Sequence, residues 1–507
     1  VTVIPKTFLS PFWLVALGSG VVFGLVLTRT ARRVARRVGL VDAPDGRRKM
    51  QARPVPVVGG VAVFLAAASA LLVTALACPD VAAAFAADAR RTAALLLAAG
   101  LITLVGVADD RYGLRARYKL LGQAAAIAVL VAAGGFVVER VSLLGAEVEL
   151  GPLAAPVTVF WLLACVNALN LIDGMDGLLG TVGVIALGTL AVLAGMTEQV
   201  WAAAVAVALA GAVVGFLRYN LPPASVYMGD AGSMLVGLVI GAVAIPANLK
   251  GPATVALGVP VAVLVLPMLD TTAAIIRRKL TGRGLATTDR GHLHHVLQRH
   301  GLSVRRVLAL VAALGLTAAA GALATTALRN DLYALVAAAG VVVTLVATRL
   351  FGHAELLLVG KRVGAALRAL RGRPDHELAV RLQGTADWDD VWADLTGIAA
   401  RLSLQAVVLD VNAPALHENY HARWDRAGAG FPEATLWRVE IPLFGQGQVI
   451  GRLEVSGGRD AEPIGDKLLT VAKILETAEH RASEVTAPHP RPAPEPELVP
   501  AAPPESA

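Results

Sequence analysis

Long stretches without one charged side chain recur through the first 350 residues, and they constrain the fold more than any other feature. Uncharged runs occupy 7–28, 54–79, 92–108, 120–138, 150–172, 177–197, 199–217, 231–249, 251–269, 307–328 and 332–348. Each is about the length that an α-helix needs to cross ~30 Å of hydrocarbon. With a mean hydropathy of +0.64 and 16% charged residues, the chain reads as a multi-span membrane protein rather than a large soluble one. The predicted fold class is an all-α polytopic membrane protein of about eleven transmembrane helices, followed by a small C-terminal α/β domain.

A net charge of +7 would raise nucleic-acid binding in a soluble protein, but here the basic residues flank the spans. The first loop holds Arg29, Arg32, Arg33, Arg36, Arg37, Arg47, Arg48, Lys49 and Arg53, whereas the next has only Arg90 and Arg91. The positive-inside rule therefore makes the first loop cytoplasmic and the N-terminus external. Cytoplasmic loops then fall at 29–53, 109–119, 173–176, 218–230 and 270–306, and almost every polar cluster lies in them. Residues 139–151, on the outer side, alternate as a small hairpin would. The first run lacks a cleavage signature and is read as a retained span. Cys78 and Cys165 sit inside apolar runs, which excludes a disulfide framework and a cysteine metal site.

Past Arg349 the composition becomes that of a soluble domain. The expected domains are 1–350 (membrane), 351–485 (α/β) and 486–507 (a Pro-rich disordered tail). In the second, helices are predicted at 387–402 and 463–480, with strands at 404–411, 436–444 and 449–455. That order suits a small sensor-like module, although no residue set specifies one.

Four loops carry the chemistry. In the first, Asp109 and Asp110 adjoin at a span's end, so one of them calls for a cation, a basic partner or a raised pKa; Arg115, Arg117 and Lys119 are near. In the second, Asn167, Asn170, Asp173 and Asp176 recur every third residue and would share one face if the helix continued that far. For Asn167 an interhelical hydrogen bond is the competing reading. Acids so close to hydrocarbon point to function, and Gly174, Gly177 and Gly180 permit close backbone approach to a ligand. The third loop sets Asp230 at the mouth of the next span, as a helix cap or a metal ligand, with Asn220 upstream as a cap or substrate contact. The fourth has Asp270 at a span's end and then Arg290, His292, His294 and His295, donors suited to phosphates and sugar hydroxyls. Zinc is the competing idea for these histidines, but their spacing matches no usual ligand pattern. Carboxylates and amides on one membrane face suit a hard cation and a phosphorylated substrate.

On four ordered motifs the chain resembles the polyprenyl-phosphate N-acetylhexosamine-1-phosphate transferases over residues 10–350. These are Asp109-Asp110 with Lys119, Asn167-x-x-Asn170-x-x-Asp173-Gly-x-Asp176-Gly177, Met228-Gly-Asp230-x-Gly232-Ser233, and Arg290-x-His292-x-His294-His295. The resemblance implies that undecaprenyl phosphate attacks the β-phosphorus of a UDP-N-acetylhexosamine and releases UMP, with Mg²⁺ or in its place Mn²⁺. By the same resemblance Asp109 and Asp110 would bind and activate the lipid phosphate, and Asp173 would join them as catalytic or support metal and nucleotide with Asp176. Asp230 and Asn170 would hold the metal. Lys119 would contact pyrophosphate, and Asn167, Asp176, Asn220, Arg290, His292, His294 and His295 would bind substrate.

The His-Leu-His-His form resembles the branch using UDP-N-acetylglucosamine or a relative rather than the UDP-N-acetylmuramoyl-pentapeptide branch. The implied setting is a bacterial inner membrane, with site and C-terminal domain cytoplasmic, membrane lipid as partner, no nucleic acid, and a homodimer left open. A transporter is the main rival, but transporters hold their binding groups near the bilayer midplane. A membrane-anchored sensor would leave the four motifs without purpose.

Overall fold

A computed structural model describes residues 5–42, 54–144, 146–247, 249–251, 254–256, 258–281, 291–370, 377–383, 387–402, 404–413, 418–426, 436–445, 448–458 and 464–485. Arg290 and the Pro-rich tail expected at 486–507 lie outside the described residues. The chain divides into two compact units, Val1–Glu355 and Leu356–Ala507.

The first unit is helical: α1 (Phe12–Val38), α2 (Gly59–Ala77), α3 (Pro79–Ala87), α4 (Ala89–Tyr112), α5 (Ala116–Ala128, extended by a π-turn through Ala133), α6 (Ala154–Ile172), α7 (Leu178–Met196), α8 (Val200–Asn220), α9 (Gly229–Ala247), α10 (Gly258–Val263), α11 (Val265–Leu280), α12 (Leu293–Arg299), α13 (Val304–Leu328) and α14 (Leu332–Ala347). Among the described residues nine helices are long and apolar enough to cross a membrane, so the protein is a multi-pass membrane protein. Of the expected spans, 332–348 forms the 16-residue α14, and 251–269 is interrupted between α10 and α11. Pro267 sits in the first turn of α11, where a missing N–H is harmless, so a helix can restart there. Asp270 therefore lies inside α11, which continues past the apolar stretch.

The inner helices are α7, α8 and α9, with 72%, 83% and 89% of their apolar windows buried against 28% for α1. A helix that is apolar on all sides needs such a central place. Small residues let the outer helices close on them: a Cβ on Gly24 of α1 would stand 2.5 Å from the Ala212 carbonyl oxygen of α8. Where lipid offers no hydrophobic drive between helices, this close backbone approach supplies van der Waals contact instead. Leu14, Leu97, Leu104, Phe160 and Val336 remain exposed, as lipid-facing positions should.

Short strands join the helix ends. β1 (Val41–Asp42) pairs with β2 (Val55–Pro56). The expected hairpin at 139–151 is present as β3 (Arg140–Leu143) and β4 (Ala146–Glu149), and β5 (Leu249–Gly251) and β6 (Thr254–Ala256) complete a four-stranded sheet with it.

α15 (His353–Leu370) leads into the second unit, whose sheet has the order β10-β11-β8-β9-β7. Its strands are β7 (Glu377–Gln383), β8 (Ala406–Ala413), β9 (Glu418–Asp425), β10 (Leu436–Gly445) and β11 (Gln448–Gly458), all antiparallel. Val407, Leu409 and Val411 alternate along β8 into a core with Trp388, Trp392 and Leu395 of α16 (Trp388–Arg401) and Ile474 of α17 (Ile464–Val485). β7 and β9 were not expected from the sequence; their charged alternate residues, such as Glu377, Arg381 and Arg423, hide the apolar face.

Candidate active site

At one end of the bundle α4 and α6 finish while α5 and α9 begin. Gly113, left-handed at φ +61°, closes α4, and Leu114 N–H donates to Asp109 Oδ1 at 2.8 Å. This tight reversal returns Lys119, in the first turns of α5, to Asp109. The Lys119 ammonium lies 2.8 Å from Asp109 Oδ2, 3.1 Å from Asp230 Oδ2 and 2.9 Å from Asn170 Oδ1. An ammonium has three donors, and here three motifs supply its three acceptors. Asn170 Nδ2 in turn donates to Asp230 Oδ1 and Ser233 Oγ.

Asp110 faces a different task. Its Oδ1 accepts Asp230 N–H at 2.8 Å and its Oδ2 accepts Ala231 N–H at 3.2 Å, so a carboxylate from α4 caps the start of α9. Negative charge at a helix N-terminus is favourable because the first N–H groups lack partners within the helix. A side chain at Gly229 would collide with this contact, its Cβ falling 2.6 Å from Asp110 Oδ2.

α6 ends at Ile172, so Asp173 and Asp176 do not continue the helical face of Asn167 and Asn170; they occupy a loop turned by Gly177 at φ +76°. Glycine punctuation overrides the three-residue spacing there. Asp173 is half-buried; desolvation, then the charges of Asp230, Asp110 and Asp176, push its carboxyl up to about 8. Asp176 Oδ2 accepts Ala224 N–H at 2.8 Å, bracing the 221–225 loop. Asn220 is buried and bridges backbone, accepting Gly177 N–H and donating to the Val226 carbonyl. Asn167 exchanges two amide hydrogen bonds with Gln123 and also donates to the Leu163 carbonyl.

The histidines arrive on α12. His294 is buried against Gly174, where a Cβ would lie 2.4 Å from its ring, and neither ring nitrogen has a partner among the described residues. Burial first, then His295 and His292, holds its imidazole well below the usual histidine range, so it is neutral. His294 and His295 rings sit 4.2 Å apart, and His292 Nδ1 contacts Asp270 at 2.9 Å.

The structure thus brings Asp109, Lys119, Asn170 and Asp230 into one hub, with Asp110 and Asp173 beside it and His294 on the 173–177 loop. Gln123, Ser233 and Asp270 are partners to which the sequence reading gave no role. For Gln123 a signal existed: it is a polar residue inside an apolar run, four positions after Lys119.

Among the described residues no three His, Cys, Asp or Glu side chains group as a metal site. The hub has two carboxylates and an amide oxygen around one cation, and these hard oxygens fit magnesium chemistry.

Fold and site together define a multi-pass membrane protein with a polar, charge-dense site at one end of its bundle. Residues 92–248 match the model for glycosyl transferase family 4. The chain is 33% identical over 293 residues to a probable undecaprenyl-phosphate N-acetylglucosaminyl 1-phosphate transferase of Bacillus subtilis, covering 57% of this chain and 78% of that one. It is 35% identical over 306 residues to a decaprenyl-phosphate N-acetylglucosaminephosphotransferase of Mycolicibacterium smegmatis, covering 56% and 75%. An undecaprenyl-phosphate alpha-N-acetylglucosaminyl 1-phosphate transferase of Yersinia pestis is 30% identical over 295 residues, covering 57% and 78%. The chain belongs to glycosyl transferase family 4, in the group of polyprenyl-phosphate N-acetylhexosamine-1-phosphate transferases.

Proposed function

We propose that this protein transfers N-acetylglucosamine-1-phosphate from its UDP-sugar to undecaprenyl phosphate, releasing UMP, as the first membrane step of cell-envelope polysaccharide or teichoic acid synthesis. The carrying observation is the hub, in which Lys119 joins Asp109, Asp230 and Asn170 from separate helices. An oxygen of the lipid phosphate bonds to the β-phosphorus, and the bond from that phosphorus to the bridging oxygen breaks, so UMP leaves with the oxygen and its electron pair. Lys119 supplies positive charge where the pyrophosphate charge gathers. Asp109 orients that ammonium, and Asp110 fixes the start of α9 and with it Asp230. Asp230 and Asn170, with Asp109 beside them, are the oxygens that would hold magnesium or manganese, and the bound ion would neutralise the pyrophosphate and polarise the breaking bond. Asp176 and Asn220 keep the loops around the site in place, and His294 and His295 form its wall on α12.

In this reading α14 and the α10–α11 stretch join the nine long helices to make eleven crossings. The arginine-rich first loop faces the cytoplasm of a bacterial plasma membrane, and so do the site and the C-terminal α/β domain. The test is UMP release by purified protein given undecaprenyl phosphate, UDP-N-acetylglucosamine and Mg²⁺. Release that requires all three supports the proposal; release only with a different UDP-sugar changes the donor, and silence with every UDP-sugar refutes it.

A further inference from the structure

Asp270 has no part in the chemistry above, yet it is completely buried and both of its oxygens are engaged. Oδ2 lies 2.9 Å from His292 Nδ1, and Oδ1 accepts Leu293 N–H at 2.7 Å. A carboxylate taken wholly out of water is costly unless hydrogen bonds replace its hydration. Both replacements come from the junction where the chain enters α12, so one side chain of α11 holds the helix start and an imidazole together.

The contact with His292 carries chemical information that the contact with Leu293 does not. A carboxylate that accepts at both oxygens would place the proton of the pair on Nδ1. The nitrogen left to meet a ligand is Nε2, which has no hydrogen-bond partner among the described residues, on a side chain that keeps 9% of its surface exposed. The His292 ring is also held in place, lying 6.3 Å from and nearly parallel to that of His294, at 8°. His294 in turn packs on Gly174, beside Asp173. His292 therefore belongs to the wall that the second and fourth motifs build together.

We propose that Asp270 is a positioning residue that locks His292 as the Nδ1–H form and fixes its ring, so that His292 meets the UDP-sugar through Nε2 alone. The inference rests on the proposed function. It separates two roles that burial alone would merge, a brace for α12 and a determinant of which imidazole nitrogen faces the donor. Asp270→Asn distinguishes them. The amide oxygen still accepts Leu293 N–H, but the amide nitrogen then faces Nδ1 and donates to it, forcing the proton onto Nε2.

The experiment is a double-mutant cycle on the full-length protein in lipid nanodiscs, following UMP release with Asp270→Asn, His292→Gln and the pair. Asp270→Asn is expected to lower kcat/KM for UDP-N-acetylglucosamine roughly ten- to a hundredfold, on the scale seen for the partners that orient metal-bound histidines. The KM for undecaprenyl phosphate stays unchanged, and the double variant is no worse than His292→Gln. Single effects that multiply in the double variant, or equal KM changes for both substrates, overturn the inference and leave Asp270 a brace. If Asp270→Asn does not fold, Asp270→Glu replaces it, retaining the charge with a longer reach. A folded Glu variant that multiplies with His292→Gln also overturns the inference, while one whose defect vanishes in the His292→Gln background supports it. A wild-type protein that releases no UMP refutes the functional reading and the inference with it; an active wild type with a multiplicative cycle refutes the inference alone.

Discussion

The membrane unit and the C-terminal sheet both carry clusters of opposite charge, but arrange them in opposite ways. Around Lys119 the charges converge: side-chain exposures are 19% for Lys119, 9% for Asp109 and 33% for Asp230, and the ammonium takes three acceptors from three helices. On the sheet they spread as a ladder, Arg438 with Glu454, Arg452 with Glu440 and Arg423 with Asp425, and Arg438 is 66% exposed. Exposed pairs of that kind contribute about 0–1 kcal/mol each and suit a solvated face. Convergence in a partly buried place carries a desolvation cost that folding alone does not justify, which is why the first arrangement reads as a site. Between these extremes lies Asp410, buried in the sheet and shared by His421 at 3.4 Å and Arg452 at 3.4 Å.

The sharpest way to break this contrast is to remove the centre of the hub. Lys119→Met and Asp230→Asn are each expected to lower UMP release about 100-fold or more, the scale for losing a group that faces developing charge. Wild-type turnover from a folded Lys119→Met protein would reduce the hub to a structural ion pair. Next in size is Gly106→Ala on α4, whose Cβ would fall 2.2 Å from the Ala231 Cα and push α9 aside. Displacing Asp230 in this way should slow the reaction about ten- to a hundredfold, read as kcat with melting temperature recorded in parallel. In the second unit Asp410→Ala should destabilise by about 1–3 kcal/mol, because His421 and Arg452 both lose a buried acceptor, while UMP release stays at the wild-type rate. Arg438→Ala is the smallest effect, within about 0.5 kcal/mol by thermal unfolding and without change in activity. A larger loss there would mean that the ladder is more than a solvated face.

Much of the site was legible as residues, and less of it as roles. Asp109, Lys119, Asn170 and Asp230 stood out because charge or amide beside apolar runs has few bland explanations. Their sequence neighbours did not announce what separates them: Asp110 differs from Asp109 only by one position on α4, yet it turns to the N-terminus of α9 and becomes a cap. Asn220, read as either cap or substrate contact, bridges two backbone segments, and Asn167 takes the interhelical bond that competed with a ligand role. In the C-terminal unit α16, α17 and the strands β8, β10 and β11 showed their period, whereas β7 and β9 were masked by charged residues on the open face.

By itself the sequence determined the membrane class, because hydrocarbon admits only backbone that satisfies its own polar groups, and apolar length is a local property. It also determined the motifs and hence the family. Only the tertiary structure decided which oxygen meets which donor. The turn at Gly113 returns Lys119 to Asp109, the end of α6 at Ile172 releases Asp173 from the helical face, and the restart of α11 carries Asp270 to His292. Those outcomes depend on helix ends and on close packing between segments far apart in the chain, and spacing along one segment does not encode them.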